Sequence, residues 1–117
     1  MEISSPPTLF MDDSVTRQQR FSQQYPHATI VSTAEQAISM LQTQTFTVVH
    51  LDHDLGDEIY VDSDRPDTGM EVVRWIVENR PVVGTVVVHT MNHEAGPLMV
   101  ERLREAGYEA DWVPFNL

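Results

Sequence analysis

Acidic and imidazole side chains follow three apolar segments of this 117-residue chain. They are Asp12 and Asp13 after the first segment, Asp52, His53 and Asp54 after the second, and His89, Thr90 and Asn92 after the third. Carboxylates that are brought together repel one another, which raises a pKa or recruits a cation. The oxygen ligands of Asp12, Asp13 and Asp52 suit Mg²⁺, and a histidine ligand, His53 or His89, would shift the preference toward Mn²⁺. These residues predict a divalent metal site, provided that the fold joins the three segments.

Five short apolar runs predict the β-strands that would do so. They cover residues 8–11, 28–31, 46–51, 85–90 and 110–115. Four polar or amphipathic segments alternate with them and predict helices. The first helix covers 14–24, the second begins at a Ser32–Glu35 capping box, the third runs from a Thr68–Glu71 capping box to Pro81, and the fourth covers 97–106 and ends at Gly107.

Alternation of strands and helices favours right-handed crossovers and a parallel sheet with helices on both faces. We predict a single flavodoxin-like α/β domain over residues 1–117, with 1–7 as a flexible amino terminus and the strand order 2-1-3-4-5. Ligands of such sheets bind outside the carboxyl ends of the strands, which is where the acidic and imidazole side chains fall. Five strands with only four helices lack a final helix over one face. A second copy of the chain, or another protein, is expected to cover that face.

Composition narrows the class of ligand and the cellular compartment. The chain carries 7 basic and 18 acidic residues, a formal net charge of −11, which disfavours duplex nucleic acid as a partner. It has no cysteine, and it shows neither a signal peptide nor a run long enough to cross a membrane. We therefore expect a cytoplasmic protein without disulfides that is not embedded in a membrane.

The Asp12–Asp13 pair, Asp52 and Thr90 resemble the site of response-regulator receiver domains. That resemblance implies a Mg²⁺ site at the acidic pair, a phosphoryl-accepting Asp52 and a phosphate contact from Thr90. Receivers also use a lysine just before the proline of their fifth strand. Here Val113 precedes Pro114 and the chain contains no lysine, which disfavours ordinary phosphorelay signalling.

A closer resemblance is to the cyclic-phosphate processing receiver domains. The matching motifs are Leu-Asp-His-Asp-Leu-Gly at 51–56, Thr-Gly at 68–69 and His-Thr-Met-Asn at 89–92, and the resemblance extends over about residues 9–106. It implies action on cyclic phosphate ends of RNA or on cyclic nucleotides. Family members often carry an arginine soon after the acidic pair, whereas Arg17 comes later here.

Opening a cyclic phosphodiester requires one group that deprotonates water and one that protonates the departing ribose oxygen. On the family resemblance we assign His53 and His89 as this acid/base pair. Asp12, Asp13 and Asp52 are the expected metal ligands, and Asp54 is an orienting partner or a further ligand. Thr90 and Asn92 are expected to donate hydrogen bonds to phosphate.

Other interpretations of the same residues stay open. The chain could be a catalytically silent receiver-like module that binds a partner through its uncovered sheet face, or a phosphate-accepting signalling domain. Asp12 and Asp13 could cap the next helix, His53 could form a structural ion pair, and His89 could be a core histidine. The acidic segment 57–67 is expected to be solvated loop or a lid over the site.

Overall fold

A computed structural model of the chain describes residues 6–55 and 62–114. Its elements, in chain order, are β1 (Thr8–Met11), α1 (Val15–Gln24), β2 (Thr29–Val31), α2 (Ala34–Thr43), β3 (Phe46–Leu51), α3 (Gly69–Asn79), β4 (Val83–Val88), α4 (Ala95–Glu105) and β5 (Glu109–Trp112). No helix in these two ranges is long and apolar enough to span a membrane. The described residues exclude 1–5 of the predicted flexible stretch, Gly56 of the 51–56 motif, 57–61 of the acidic segment, and Phe115 at the end of the predicted fifth strand.

The five strands form one parallel sheet in the order β2-β1-β3-β4-β5, which confirms the predicted topology. In the register of the sheet, Met11 pairs with Leu51 and Leu51 pairs with Val88. The last residues of β1, β3 and β4 are therefore neighbours across the sheet. Whatever follows them in the chain emerges at one edge, because parallel strands end on the same side.

Alternate strand residues point to opposite faces of the sheet, and the two faces are covered differently. On one face, Leu9, Met11, Val49 and Leu51 are fully buried beneath α2, α3 and α4, with α3 in contact with both neighbouring helices. This side forms the main hydrophobic core.

The opposite face carries α1, whose Phe21 ring stacks on Phe10 of β1 with centroids 4.1 Å apart. Farther along this face, Val48, His50 and Val87 are only half-buried. The described part of the chain contains five strands and four helices, as expected. Binding of a second copy or another protein to this face stays a prediction.

Two predicted capping boxes are wrong in detail. The N-cap of α2 is Thr33 rather than Ser32, because the Thr33 hydroxyl accepts from Gln36 N, while the Gln36 side chain accepts from Ser32 N at 2.8 Å. Glu35 has no part in this arrangement. The cap is displaced by one residue because Gln36, rather than Glu35, supplies the side chain that reaches back.

The second predicted box, Thr68 with Glu71, does not form. Thr68 is the N-cap of α3, but its buried hydroxyl donates to the Arg65 carbonyl at 2.9 Å instead of capping the helix. The Glu71 carboxylate instead pairs with Arg74 at 2.9 Å. Both side chains thus hold the loop that precedes α3.

Three other element boundaries differ by a few residues. Helix α4 begins at Ala95, two residues before Pro97, because the Asn92 side-chain oxygen accepts from Glu94 N and Ala95 N. Strand β4 lies two residues earlier than predicted, at Val83–Val88, and β5 begins at Glu109. The shift of β4 places His89 and Thr90 just beyond the strand, in the loop at the carboxyl edge.

Candidate metal centre

Three side chains from three strand ends meet at the carboxyl edge of the sheet. Asp12, Asp52 and His89 are the first residues after β1, β3 and β4. The backbone extends the strand pairing by one step, because Asp52 N donates to Met11 O at 3.1 Å and His89 N donates to Leu51 O at 2.9 Å. The sheet register therefore fixes the relative positions of these side chains.

Asp12 is fully buried and lies at the centre of the cluster. Its Oδ2 atom is 2.9 Å from His89 Nε2 and 2.9 Å from Arg17 Nε, and its Oδ1 atom accepts from Ser14 N at 2.9 Å. The Asp52 carboxylate lies 4.0 Å from Arg17 Nη2, and its other oxygen accepts from His53 N at 2.8 Å. Two carboxylates, one imidazole and one guanidinium thus share a small buried volume.

One potential ligand atom from each of Asp12, Asp52 and His89 lies within 4.8 Å of the others, and all three residues are buried. Two carboxylate oxygens and an imidazole nitrogen are donors that divalent first-row cations accept. This donor set fits a divalent cation, with one histidine making it better suited to Mn²⁺ than an all-oxygen site would be.

The electrostatics of the cluster favour an added positive charge. Burial, and after it the neighbouring Asp12 carboxylate, raises the pKa of Asp52 from 3.8 to about 6, although His89, the hydrogen bond from His53 N and Arg17 partly oppose the change. Ionised Asp52 is therefore costly in this environment. A bound cation would relieve the repulsion between the two carboxylates.

Aromatic stacking orients the imidazole of His89. Its ring lies nearly parallel to that of Phe10, with an interplanar angle of 8° and centroids 4.8 Å apart, and Phe10 in turn stacks on Phe21. His50 contacts the same aromatic column, and burial followed by the charge of His89 lowers the pKa of His50 to about 4. His50 is thus a neutral packing residue at neutral pH.

Of the other predicted metal ligands, neither Asp13 nor Asp54 belongs to the metal-compatible group within the described residues. Asp13 is half-buried and lines a pocket beside Leu55 and Ser32. The Asp54 carboxylate contacts the His53 ring and accepts from Asn92 Nδ2 at 3.3 Å. Their ligand roles stay predictions.

His53, the second predicted acid/base residue, lies in a separate network from His89. Its ring is fully buried, with Nδ1 2.8 Å from Asp54 Oδ1 and Nε2 3.0 Å from Ser63 Oγ. Both ring nitrogens are therefore engaged by the protein. A substrate would reach this imidazole only through the groups that surround it.

The predicted phosphate-binding residues Thr90 and Asn92 are buried in the loop after β4. The Thr90 hydroxyl accepts from Asn92 N at 3.1 Å, and the Thr90 backbone carbonyl accepts from the Trp112 indole N–H at 2.8 Å. Asn92 links Asp54 to the start of α4. Both residues stabilise the loop that carries His89, and direct contact with phosphate stays a prediction.

The Thr-Gly step at 68–69 has a steric explanation. Gly69 N donates to His53 O at 3.0 Å, and a β-carbon at Gly69 would collide with the backbone carbonyl of Asp52. Glycine is required because α3 begins directly against the backbone of the β3 loop. This contact couples α3 to the position of Asp52.

The family profile described as "Cyclic-phosphate processing Receiver domain" matches residues 8–105 of the chain. No curated protein sequence matches significantly.

Solved structures of receiver domains share the fold. Response regulator TrrA from Thermotoga maritima, in complex with Mg²⁺-BeF, is 13% identical with a TM-score of 0.72, and the match covers 97% of this chain and 89% of that one. A CheY-like receiver domain from Methylobacillus flagellatus is 14% identical with a TM-score of 0.68, covering 97% and 89%. Another from Methanospirillum hungatei is 17% identical with a TM-score of 0.65, covering 97% and 84%. At these identities the likeness establishes the receiver fold alone.

Proposed function

The chain belongs to the cyclic-phosphate processing receiver domain family, and we propose that it is a phosphoesterase that uses a divalent cation to open a cyclic phosphate at an RNA end or in a small nucleotide. The observation that carries the proposal is the convergence of Asp12, Asp52 and His89 into one buried group. Phosphoesters carry negative charge that must be offset during ring opening, and a cation among these ligands would provide the offset.

Under this proposal Asp12, Asp52 and His89 hold the cation, with Mn²⁺ favoured over Mg²⁺ by the imidazole ligand. A cation bound there supplies a Lewis acid for a phosphoryl oxygen and lowers the pKa of a bound water. Nε2 of His89 is the atom that faces Asp12, so the geometry favours a ligand role for His89 over the acid/base role expected from the sequence.

Arg17 brings a second positive group to the same place. Its guanidinium contacts Asp12 and approaches Asp52, while 28% of its side chain is exposed. An arginine side chain that is partly exposed at such a site is well suited to bind phosphate oxygens. We assign Arg17 to the phosphate of the substrate, with the hydroxyl proton of Thr90 as a further donor.

A pocket of about 650 Å³ is lined in part by Asp13, the residue after Asp12, and could hold the nucleoside part of the substrate. Its described lining residues are Asp13, Ser32, Thr33, Ala34, Glu35, Leu55, Pro66 and Asp67. The lining therefore includes three carboxylates and no arginine. Such a pocket can accept hydrogen bonds from ribose hydroxyls but repels additional phosphates. It supports a mononucleotide or a short RNA end as the substrate.

The test is hydrolysis of 2′,3′-cyclic AMP by the purified chain, followed by chromatography of the products with Mn²⁺, with Mg²⁺ and with a chelator. We expect turnover with Mn²⁺ that falls by at least about 10²-fold in Asp12→Asn and Asp52→Asn. His27→Gln, at an exposed histidine just before the start of β2, at the amino edge of the sheet, is the matched control and should keep full activity. Absence of hydrolysis of 2′,3′-cyclic nucleotides under every metal condition would reject the proposal.

A further inference from the structure

Ser63, His53 and Asp54 form a hydrogen-bonded chain beside the metal-compatible cluster. His53 Nδ1 lies 2.8 Å from Asp54 Oδ1, and His53 Nε2 lies 3.0 Å from Ser63 Oγ. These distances satisfy the geometric relationship between a nucleophile, a base and the group that orients the base. Ser63 lies outside the three motifs, at 51–56, 68–69 and 89–92, that carry the family resemblance.

The acceptor atoms fix the direction of the hydrogen bonds. Asp54 Oδ1 also accepts from Asn92 Nδ2, which marks it as an acceptor, so the proton on His53 belongs on Nδ1. The Nε2 atom is then an acceptor and receives the Ser63 O–H. This is the polarity that activates a serine, since its proton points at the base.

Neighbouring residues hold both Ser63 and His53 of this hydrogen-bonded series in place. The backbone carbonyl of Ser63 accepts from Arg74 Nη1 at 2.7 Å, which fastens the loop to α3. The His53 carbonyl accepts from Gly69 N, and His53 N donates to Asp52. His53 is fully buried whereas Ser63 is only half-buried. Asp54 is half-buried as well, so of the two members that a substrate can approach, Ser63 is the one that carries a hydroxyl nucleophile.

From this geometry we infer that Ser63 is an activated nucleophile for phosphorus esters, with His53 as its base and Asp54 as the positioning residue. The inference gives His53 a catalytic role exerted through Ser63 rather than by direct contact with water at the metal site.

Applied to the proposed function, the reaction has two balanced steps. Ser63 Oγ forms a bond to phosphorus as the bond from phosphorus to one ribose oxygen breaks, and His53 Nε2 takes the serine proton and gives it to that oxygen. Water then attacks the serine-bound phosphodiester and gives a proton to His53, which returns it to Ser63 Oγ as the serine–phosphorus bond breaks. The net change is addition of one water and release of an open phosphomonoester.

A fluorophosphonate probe tests the serine without any cyclic phosphate, because attack of Oγ on its phosphorus expels fluoride and leaves a stable adduct. Mass spectrometry of the intact full-length chain and its peptides should find one adduct, on Ser63. Exposed Ser39 on α2 is the internal control and should stay unlabelled. Asp54→Asn should lower the maximal labelling rate by about 10²- to 10⁴-fold without weakening probe binding, which a merely structural defect would not do. Failure to label Ser63, or equal labelling of Ser63 and Ser39, would overturn the inference.

A second arm rests on the proposed function. Quenched turnover of 2′,3′-cyclic AMP should trap the nucleotide on Ser63, and Ser63→Ala should abolish hydrolysis while its circular dichroism spectrum stays native. Full hydrolysis by Ser63→Ala would contradict the nucleophile and leave the proposed function standing. Fluorophosphonate labelling of Ser63 in a chain that hydrolyses no cyclic phosphate would support the nucleophile and reject the proposed function.

Discussion

The imidazole Nε2 of His89 lies 2.9 Å from Asp12 Oδ2, although 77 residues separate the two along the chain. The contact follows from the sheet register, in which β3 lies between β1 and β4 and the three strands end in line. A histidine from β4 and a carboxylate from β1 thus reach across the end of β3, where Asp52 lies.

Loss of the His89 ligand should weaken cation binding. We predict that His89→Gln lowers Mn²⁺ affinity by at least about 100-fold, because even groups that only support metal ligands commonly contribute 10- to 100-fold. Isothermal titration calorimetry of the purified chain measures this directly. His27→Gln should bind Mn²⁺ as the wild type does, and unchanged affinity in His89→Gln would exclude His89 as a ligand.

The ligand set should also discriminate between cations. A buried group of two carboxylates and one imidazole is expected to bind Mn²⁺ more tightly than Mg²⁺, since imidazole nitrogen is a poorer partner for Mg²⁺. Competition titrations of Mg²⁺ against Mn²⁺ would show the preference. In His89→Asp, which restores an all-oxygen set, the preference for Mn²⁺ should shrink, and equal preference in both proteins would contradict this assignment.

The raised pKa of Asp52 predicts that ionisation of this carboxyl lowers the free energy of unfolding of the cation-free protein, by an amount that depends on pH. Because burial and then the charge of Asp12 raise it from 3.8 to about 6, the folded state favours neutral Asp52. The cost is absent below about pH 4, grows as the pH rises toward 6, and is complete above that, where it reaches about 3 kcal/mol for a shift of about two pH units.

Asp52→Asn removes this ionisation while keeping nearly the same shape. In the presence of a chelator, the variant should therefore be more stable than the wild type near pH 8, with the difference in the free energy of unfolding vanishing near pH 4. Urea denaturation across this range is the measurement. Saturating Mn²⁺ should reverse the order near pH 8, because it stabilises only the chain that binds it. A difference in the free energy of unfolding that does not change with pH would show that ionisation of Asp52 does not destabilise the folded protein.

The close approach of Gly69 to the Asp52 backbone predicts that adding one methyl group at position 69 destabilises the protein and weakens Mn²⁺ binding. Gly69→Ala should lower the free energy of unfolding by more than about 2 kcal/mol and weaken Mn²⁺ binding, because the clash is with backbone rather than with a flexible side chain. Gly107→Ala is the matched control. Its φ of 95° imposes strain of about 1–2 kcal/mol, but its surroundings are open, so Mn²⁺ affinity should not change. Equal Mn²⁺ affinity in Gly69→Ala and wild type would disprove the coupling between α3 and Asp52.

The absence of lysine predicts a poor phosphoacceptor. Incubation with acetyl phosphate and Mg²⁺ should leave Asp52 unmodified by mass spectrometry, because no lysine is available to offset the charge of an acyl phosphate. A lysine-containing receiver domain run in parallel serves as the positive control. Stoichiometric phosphorylation of Asp52 would favour a signalling role.

The sequence was sufficient for the topology because strong apolar runs such as β1 and β3 coincide with the strands, and parallel strands have few ways to connect. It located the helix starts less well. The start of α4 depends on the Asn92 side chain, and the start of α2 depends on whether Ser32 or Thr33 faces the helix. Local hydrogen bonds decide such boundaries, and neighbouring polar residues offer several of them.

The arrangement of the candidate site could likewise be predicted from the sequence only in part. The strand order predicts that Asp12, Asp52 and His89 lie at one edge of the sheet. It does not predict that only Asp12 of the acidic pair joins the metal-compatible group, because that depends on which of the two carboxylates continues the strand register. Ser63 lies ten positions after His53, beyond an acidic stretch of sequence without a periodic pattern, so the sequence did not indicate that the two side chains are in contact. The sequence showed that Arg17 comes later than the arginine of other family members, but not that its place in the first turn of α1 brings it into contact with Asp12.

The most direct test of the metal centre is a crystal of the chain grown with Mn²⁺, with anomalous scattering used to locate the ion. We predict one strong anomalous peak within coordination distance, about 2.0–2.3 Å, of Asp12, Asp52 and His89. A peak elsewhere, or an Asp12–His89 contact that persists unchanged with no ion beside it at saturating Mn²⁺, would contradict it.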